Sequence, residues 1–275
     1  MKRLFILLYG ILGYMIGMGG LTYFILFVGG WDFLPFHIDS GAPDTLSSAF
    51  LINIGLITLF GLQHSVMARP SFKKAWTRII PKSAERSTYV LISGVTMILI
   101  CYFWQPVPGF LWKVENPVGW SLLTTGYGLG WVLAVVATFL INHFDLFGLQ
   151  QVYLNLRNKP EPAPAFTETF LYRMVRHPLQ LGILIGIWVA PTMSISHLIL
   201  SVGMTTYIFI GLYFEEKDLV ASLGKEYQAY QKRVPKILPL PRPSVEPAFR
   251  ATADLAVEPA IAEPEFVFTR SISGD

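Results

Sequence analysis

Residues 177–214 read HPLQLGILIGIWVAPTMSISHLILSVGMTTYIFIGLYF, a run without a single Asp, Glu, Lys or Arg. As one helix, the part from Leu179 to Phe214 would extend about 54 Å at 1.5 Å per residue. That is nearly twice a bilayer core of about 30 Å. Pro191 interrupts the run, and the polar Thr192, Ser194, Ser196 and His197 follow it. Proline breaks or kinks a helix interior, so the stretch is read as a helical hairpin turning around 191–197. One long kinked helix is the alternative.

Working outward, four more stretches are free of charge: 4–31, 45–68, 87–112 and 116–142. Each exceeds the roughly 20 apolar residues that a membrane crossing needs. The chain is 53% hydrophobic and 14% charged, against about 25% charged in a soluble domain. A soluble enzyme, a nucleic-acid-binding protein and a disordered chain are excluded. The expected fold class is all-α: a polytopic helical membrane protein with four transmembrane helices plus the hairpin, five to six spans in a lipid bilayer. The first run is far longer than the 7–15-residue h-region of a cleavable signal peptide.

Charge gives the orientation, because cytoplasmic loops collect Lys and Arg. Lys2 and Arg3 open the chain; the loop 32–44 holds Asp32, Asp39 and Asp44 and no base; the next, about 67–86, holds Arg69, Lys73, Lys74, Arg78, Lys82 and Arg86. Arg157, Lys159, Arg173 and Arg176 mark the fourth loop. After the hairpin come Lys217, Lys225, Lys232, Arg233 and Lys236. Both termini are therefore expected in the cytoplasm. An amphipathic stretch is expected from Glu215 through Leu219, Leu223, Tyr227 and Tyr230 to Val234-Pro235. Residues 240–275, rich in Pro, Ala and Glu, carry Arg242, Arg250 and Arg270 against six acids. They can bury little and are read as a disordered or peripheral tail behind a membrane domain at 1–239. Gly13 with Gly17 and Gly126 with Gly130 suit close helix packing. Cys101 stands alone, which forbids an internal disulfide, and five scattered histidines lack zinc spacing, so no metal is expected.

Three polar clusters are placed to do chemistry. Gln63-His64-Ser65 ends the second span; an ionisable residue in a membrane segment is a functional hypothesis by default, the alternative being a histidine bonded to a backbone carbonyl at the interface. Asn142-His143-Phe144-Asp145 follows the fourth span, with an anchoring role as its alternative. Tyr172-Arg173-Met174-Val175-Arg176-His177-Pro178-Leu179-Gln180-Leu181-Gly182 opens the hairpin, with Pro178 suited to a first helical position. Because the hairpin returns, Arg176 and His177 can neighbour Glu215 and Glu216. They would then form either a mutual salt bridge or a site for a zwitterion, its carboxylate at Arg and the helix N-terminus and its ammonium at a Glu.

Arg176-His177-Pro178, Gly182, Glu215-Glu216, Leu219, Gly224, Tyr227, Tyr230 and Val234-Pro235 resemble the C-terminal signature of integral-membrane methyltransferases. That group includes isoprenylcysteine carboxyl methyltransferase and phospholipid methyltransferases. Over 170–236 the resemblance implies an S-adenosylmethionine pocket built from Arg176, His177, Pro178, Gln180, Gly182, Glu215, Glu216 and Tyr227. Gln180 departs from the bulky residue usual there. Gln63 to Pro70, Glu85-Arg86 with Tyr89, and Asn142 to Leu149 further resemble bacterial methanethiol S-methyltransferases. This implies methyl transfer from S-adenosylmethionine to methanethiol, giving dimethyl sulfide, in a bacterial inner membrane with the active site cytoplasmic. An alkyl thiol is mostly protonated near neutrality while its thiolate is the nucleophile, so a base would help: His64 first, His143 second. A same-fold enzyme acting on a lipid or prenylcysteine carboxylate is one alternative. A small-molecule transporter is the other; it calls for charges inside the spans and an internal repeat, and neither is found.

Overall fold

A computed structural model describes residues 1–43, 45–162 and 168–239. Asp44 and the tail 240–275 lie outside the described residues, so the expectations for them stand only as expectations.

The elements follow in chain order as α1 (Lys2–Val28), α2 (Leu46–Ala68), α3 (Pro70–Trp76), α4 (Lys82–Phe103), β1 (Phe110–Lys113), α5 (Pro117–Ile141), α6 (His143–Leu146) and α7 (Leu149–Leu156). Then come α8 (Leu171–Met174), α9 (Pro178–Trp188), β2 (Thr192–Ser194), α10 (Ile195–Leu223) and α11 (Lys225–Arg233). Among the described residues five helices, α1, α2, α4, α5 and α10, are long and apolar enough to cross a membrane. The chain is a multi-pass helical membrane protein.

The hairpin exists, with three corrections. Its turn spans 189–194 rather than 191–197; Ser194 caps α10 by accepting from the His197 amide at 3.0 Å. Its first arm, α9, has 11 residues, about 16 Å at 1.5 Å per residue, too short to cross alone. Its second arm does not stop at Phe214 but carries Glu215 and Glu216 on to Leu223, leaving α11 as the short C-terminal amphipathic helix. The third apolar run also stops early: α4 ends at Phe103, because Pro106 and Pro108 cannot continue a helix. Residues 110–113 instead form β1, antiparallel to β2, and Trp112 Nε1 donates to Ala190 O at 3.0 Å. The alternation of long apolar runs could not show this ribbon.

Two glycine seams hold the helices. A Cβ on Gly94 of α4 would lie 2.6 Å from Gly17 Cα and 2.7 Å from Ile16 O of α1. One on Gly130 of α5 would lie 2.6 Å from Gly186 N and 2.9 Å from Gly182 O of α9. Backbones this close gain dispersion contacts that lipid cannot replace. Gly94→Leu must therefore part α1 from α4, at a cost of about 1–3 kcal/mol or more. A lowered unfolding temperature in detergent is expected, whereas Gly128→Leu, where a Cβ meets nothing within 4 Å, should leave it unchanged.

Several buried polar groups are paired at the end holding the turn. Asn53 exchanges two hydrogen bonds with the Gln105 backbone, at 2.7 and 2.9 Å. The Ile187 carbonyl near the end of α9 receives Ser201 Oγ at 2.7 Å and contacts His197 Nε2 at 2.9 Å. His197 is thereby explained as a cap for an orphan helix carbonyl.

Candidate functional site

At the other end of the hairpin Pro178 starts α9, and the chain before it is clasped by the segment after α11. The Arg176 amide donates to Pro235 O at 2.9 Å and the His177 amide to Lys236 O at 3.1 Å. Arg176 Nη2 lies 2.6 Å and Nε 2.8 Å from Glu216 Oε1. His177 Nε2 sits 3.1 Å from the same oxygen, and Lys236 Nζ lies 2.9 Å from Glu216 Oε2. Arg176 Nη1 also donates to the carbonyls of Gln231 and Val234, at 3.1 and 2.5 Å. Arg176, His177 and Glu216 are all buried. The expected neighbourhood therefore forms with Glu216, whose carboxylate is saturated by three basic side chains. Lys236, read in the sequence only as part of a basic cluster, is one of the three.

Glu215 is different. One position earlier on α10, it is exposed and shares a helix face with Gly211 and Tyr207, four and eight residues back. Its charge acts on Tyr89, Tyr172 and Tyr207, and the charges of His177, Arg86 and Lys236 act on it. A Cβ on Gly211 would meet nothing within 4 Å. Burial raises the Tyr172 phenol, helped by the Glu215 charge. Burial likewise pushes Tyr230 up to about 12; its hydroxyl donates to Tyr172 O at 2.6 Å. Tyr227 is buried beside Tyr230, ring centroids 5.7 Å apart, and feels the charges of Glu216 and Arg176. Half-buried Gln180 lies in the first turn of α9, whose opening N–H groups have no intrahelical acceptor. Gly182 packs in the seam of α5 and α9, where a Cβ would lie 2.5 Å from Ala134 N.

His64 lies near the end of α2 that leads to α3. Its Nε2 is 2.5 Å from Tyr89 Oη and its Nδ1 3.0 Å from Ser93 Oγ, both on α4. Phe60 stacks on the imidazole at 5.1 Å, and Tyr207 meets it edge-on at 6.1 Å. Tyr207 thus links His64 to the Glu215 face. The Arg86 guanidinium lies 5.1 Å from the centre of the Tyr89 ring, and its Nε donates to Leu146 O at 2.7 Å. Ser87 Oγ donates to Gly148 O at 3.1 Å. The Asn142–Leu149 segment is thereby docked onto the start of α4.

His143 stands apart from His64. Its nitrogens meet Tyr14 Oη at 2.9 Å and Thr138 Oγ1 at 2.8 Å, and Phe139 stacks on it at 4.1 Å. Its partners come from α1 and α5, those of His64 from α4 and α10. Burial lowers its pKa, and both nitrogens are occupied, an arrangement suited to locking helices. Sequence reasoning missed Ser93 and Tyr207. Tyr89 and Ser93 are four apart on a helix, a detectable pairing, but nothing local says that His64 faces them. Among the described residues no three His, Cys, Asp or Glu side chains gather to hold a metal ion.

Membrane-spanning helices, a buried basic–acidic clasp at one end and an ionisable cluster linked to it through Tyr207 define a multi-pass membrane protein with polar groups gathered at that end. The chain belongs to the NnrU protein family, whose sequence profile matches residues 52–243. It is 44% identical over 239 residues to a methanethiol S-methyltransferase of Crocosphaera subtropica, covering 87% of this chain and 93% of that one. The corresponding protein of Mycobacterium tuberculosis is 42% identical over 241 residues, 88% of this chain and 98% of its own. Nurim of Xenopus laevis is 31% identical over 195 residues, 66% and 67% of the two chains. No solved structure matches significantly. The resemblance read from the motifs is borne out across most of the chain.

Proposed function

We propose that this protein is a membrane methyltransferase carrying the methyl group of S-adenosylmethionine to the sulfur of methanethiol, with release of dimethyl sulfide. The observation that carries the reading is identity above 40% over nearly the whole membrane domain with proteins named for this reaction. The chemistry of the site supports it. S-adenosylmethionine, when bound, supplies an electrophilic methyl on a positively charged sulfur. Glu215, the exposed carboxylate of the pair, suits the cationic parts of this donor, with Tyr172 and Tyr207 as aromatic walls. The open N–H groups of α9 beside Gln180 suit its carboxylate. Glu216, Arg176, His177 and Lys236 hold this frame together. Displacement at a sulfonium neutralises charge, so positioning and exclusion of water do most of the work. Methanethiol, tiny and apolar, needs only a small space near the His64 cluster.

Headspace gas chromatography decides the matter: purified protein with both substrates should release dimethyl sulfide, and none without the protein. A lipid or prenylcysteine methyl ester formed instead would favour the alternative acceptor.

The membrane is read as a bacterial inner membrane, with the clasp and both termini cytoplasmic. The basic clusters at 69–86 and 217–236 against the acidic loop at 32–44 support this. A reporter fused after Val234 should read cytoplasmic and one inserted near Gly41 periplasmic; the reverse pattern would overturn the orientation.

A further inference from the structure

We infer that Tyr89, rather than His64, takes the proton from the thiol, and that it does so as the front of a Tyr89–His64–Ser93 relay. The inference rests on the reading that the protein methylates a small thiol.

The argument begins with the occupancy of His64. Both ring nitrogens are bonded, to Tyr89 and Ser93, and its surroundings include Phe60 on one face and Tyr207 at the edge. A thiol cannot reach either nitrogen without displacing a hydrogen bond. With Nδ1–H donating to Ser93 Oγ, Nε2 is left to accept the Tyr89 O–H. In that tautomer Ser93 Oγ accepts and Tyr89 is the donor to Nε2. The Tyr89 oxygen then retains acceptor capacity for an incoming S–H. The Arg86 guanidinium over its ring, held by Leu146 O, favours negative charge as it develops on the phenol. Glu85 and Arg86 of α4 and Tyr207 and Glu215 of α10 are the ionisable groups that act on Tyr89. Gly211, where a Cβ would meet nothing within 4 Å, lies on the α10 face that carries Tyr207 and Glu215.

In the step, the S–H bond breaks and its proton passes to Tyr89 Oη as the Tyr89 proton passes to His64 Nε2, forming an imidazolium. The thiolate sulfur donates an electron pair to the methyl carbon of the sulfonium donor. The old carbon–sulfur bond breaks with its pair retained on the donor sulfur, which becomes a neutral thioether. The imidazolium later returns its proton to water through Tyr89. Tyr89 is the catalytic residue; His64, Ser93 and Arg86 position and charge it.

The test compares methanethiol with 2,2,2-trifluoroethanethiol, a far more acidic thiol, using purified protein saturated with S-adenosylmethionine. Tyr89→Phe should lower kcat/KM for methanethiol about 10²-fold or more, with donor affinity unchanged, and much less for the acidic thiol. His64→Gln should show the same pattern, and the double variant should be no worse than either. Undiminished turnover of methanethiol by Tyr89→Phe, or an equal loss with both thiols, would overturn the relay. Should Tyr89→Phe fail to fold, 3-fluorotyrosine at position 89 decides: an altered pH profile of kcat/KM for methanethiol, absent with the acidic thiol, supports the relay, and an unaltered profile overturns it. Wild-type protein that forms no methylated thiol from either acceptor overturns the underlying reading instead.

Discussion

Glu216→Ala is expected to open the clasped end of the molecule rather than only weaken a ligand. The glutamate is the shared partner of Arg176, His177 and Lys236, and the Arg176 side chain is 6% exposed. Removing one member of a buried ion pair leaves an uncompensated charge and costs about 3–5 kcal/mol. A clear fall in unfolding temperature in detergent should follow, with new proteolysis near 168–177. Glu216→Gln, which keeps the shape and part of the hydrogen bonding, should fall less. An unchanged unfolding temperature in Glu216→Ala would mean that the clasp holds nothing together.

Glu215→Gln should behave in the opposite way. Its side chain is exposed and outside the clasp, so stability should hold. On the proposed reading its carboxylate makes a charge-assisted contact with the donor, worth about 1.5–3 kcal/mol, or roughly 10- to 150-fold in affinity. Calorimetric titration of S-adenosylmethionine measures this. A variant that binds the donor like wild type would remove Glu215 from the site. Together the two substitutions separate adjacent glutamates that the sequence presents as a pair.

That separation marks what the sequence holds and what it withholds. The spans were legible because each is a long run without charge, and the hairpin because Pro191 sits inside a run too long for one crossing. The meeting of Arg176 and His177 with an acidic residue 39–40 positions later was legible for the same reason. Which glutamate would meet them was not: helical phase at Glu215 and Glu216 depends on how α10 docks against α9. The packing role of Gly182 was hidden for a related reason, since its neighbour Ala134 lies in another helix and no spacing rule links them. His64 stood out as the lone ionisable group in an apolar span. Its partners Tyr89 and Ser93 belong to α4, and only the packing of two spans reveals that they face it.

The backbone bonds joining Arg176 and His177 to Pro235 and Lys236 carry a consequence for biogenesis. A nascent membrane protein folds from its N-terminus as it is made, so the glycine-sealed helix pairs can form early. The ionic frame around Glu216 cannot close until Lys236 has been synthesised, long after α9 has entered the membrane. A chain halted before Glu216 would present Arg176 without its carboxylate, and one halted before Lys236 would leave the α9 entrance unclasped. Such a chain would be a ready substrate for membrane proteases, so the order of synthesis itself acts as a check that only finished molecules acquire a working site.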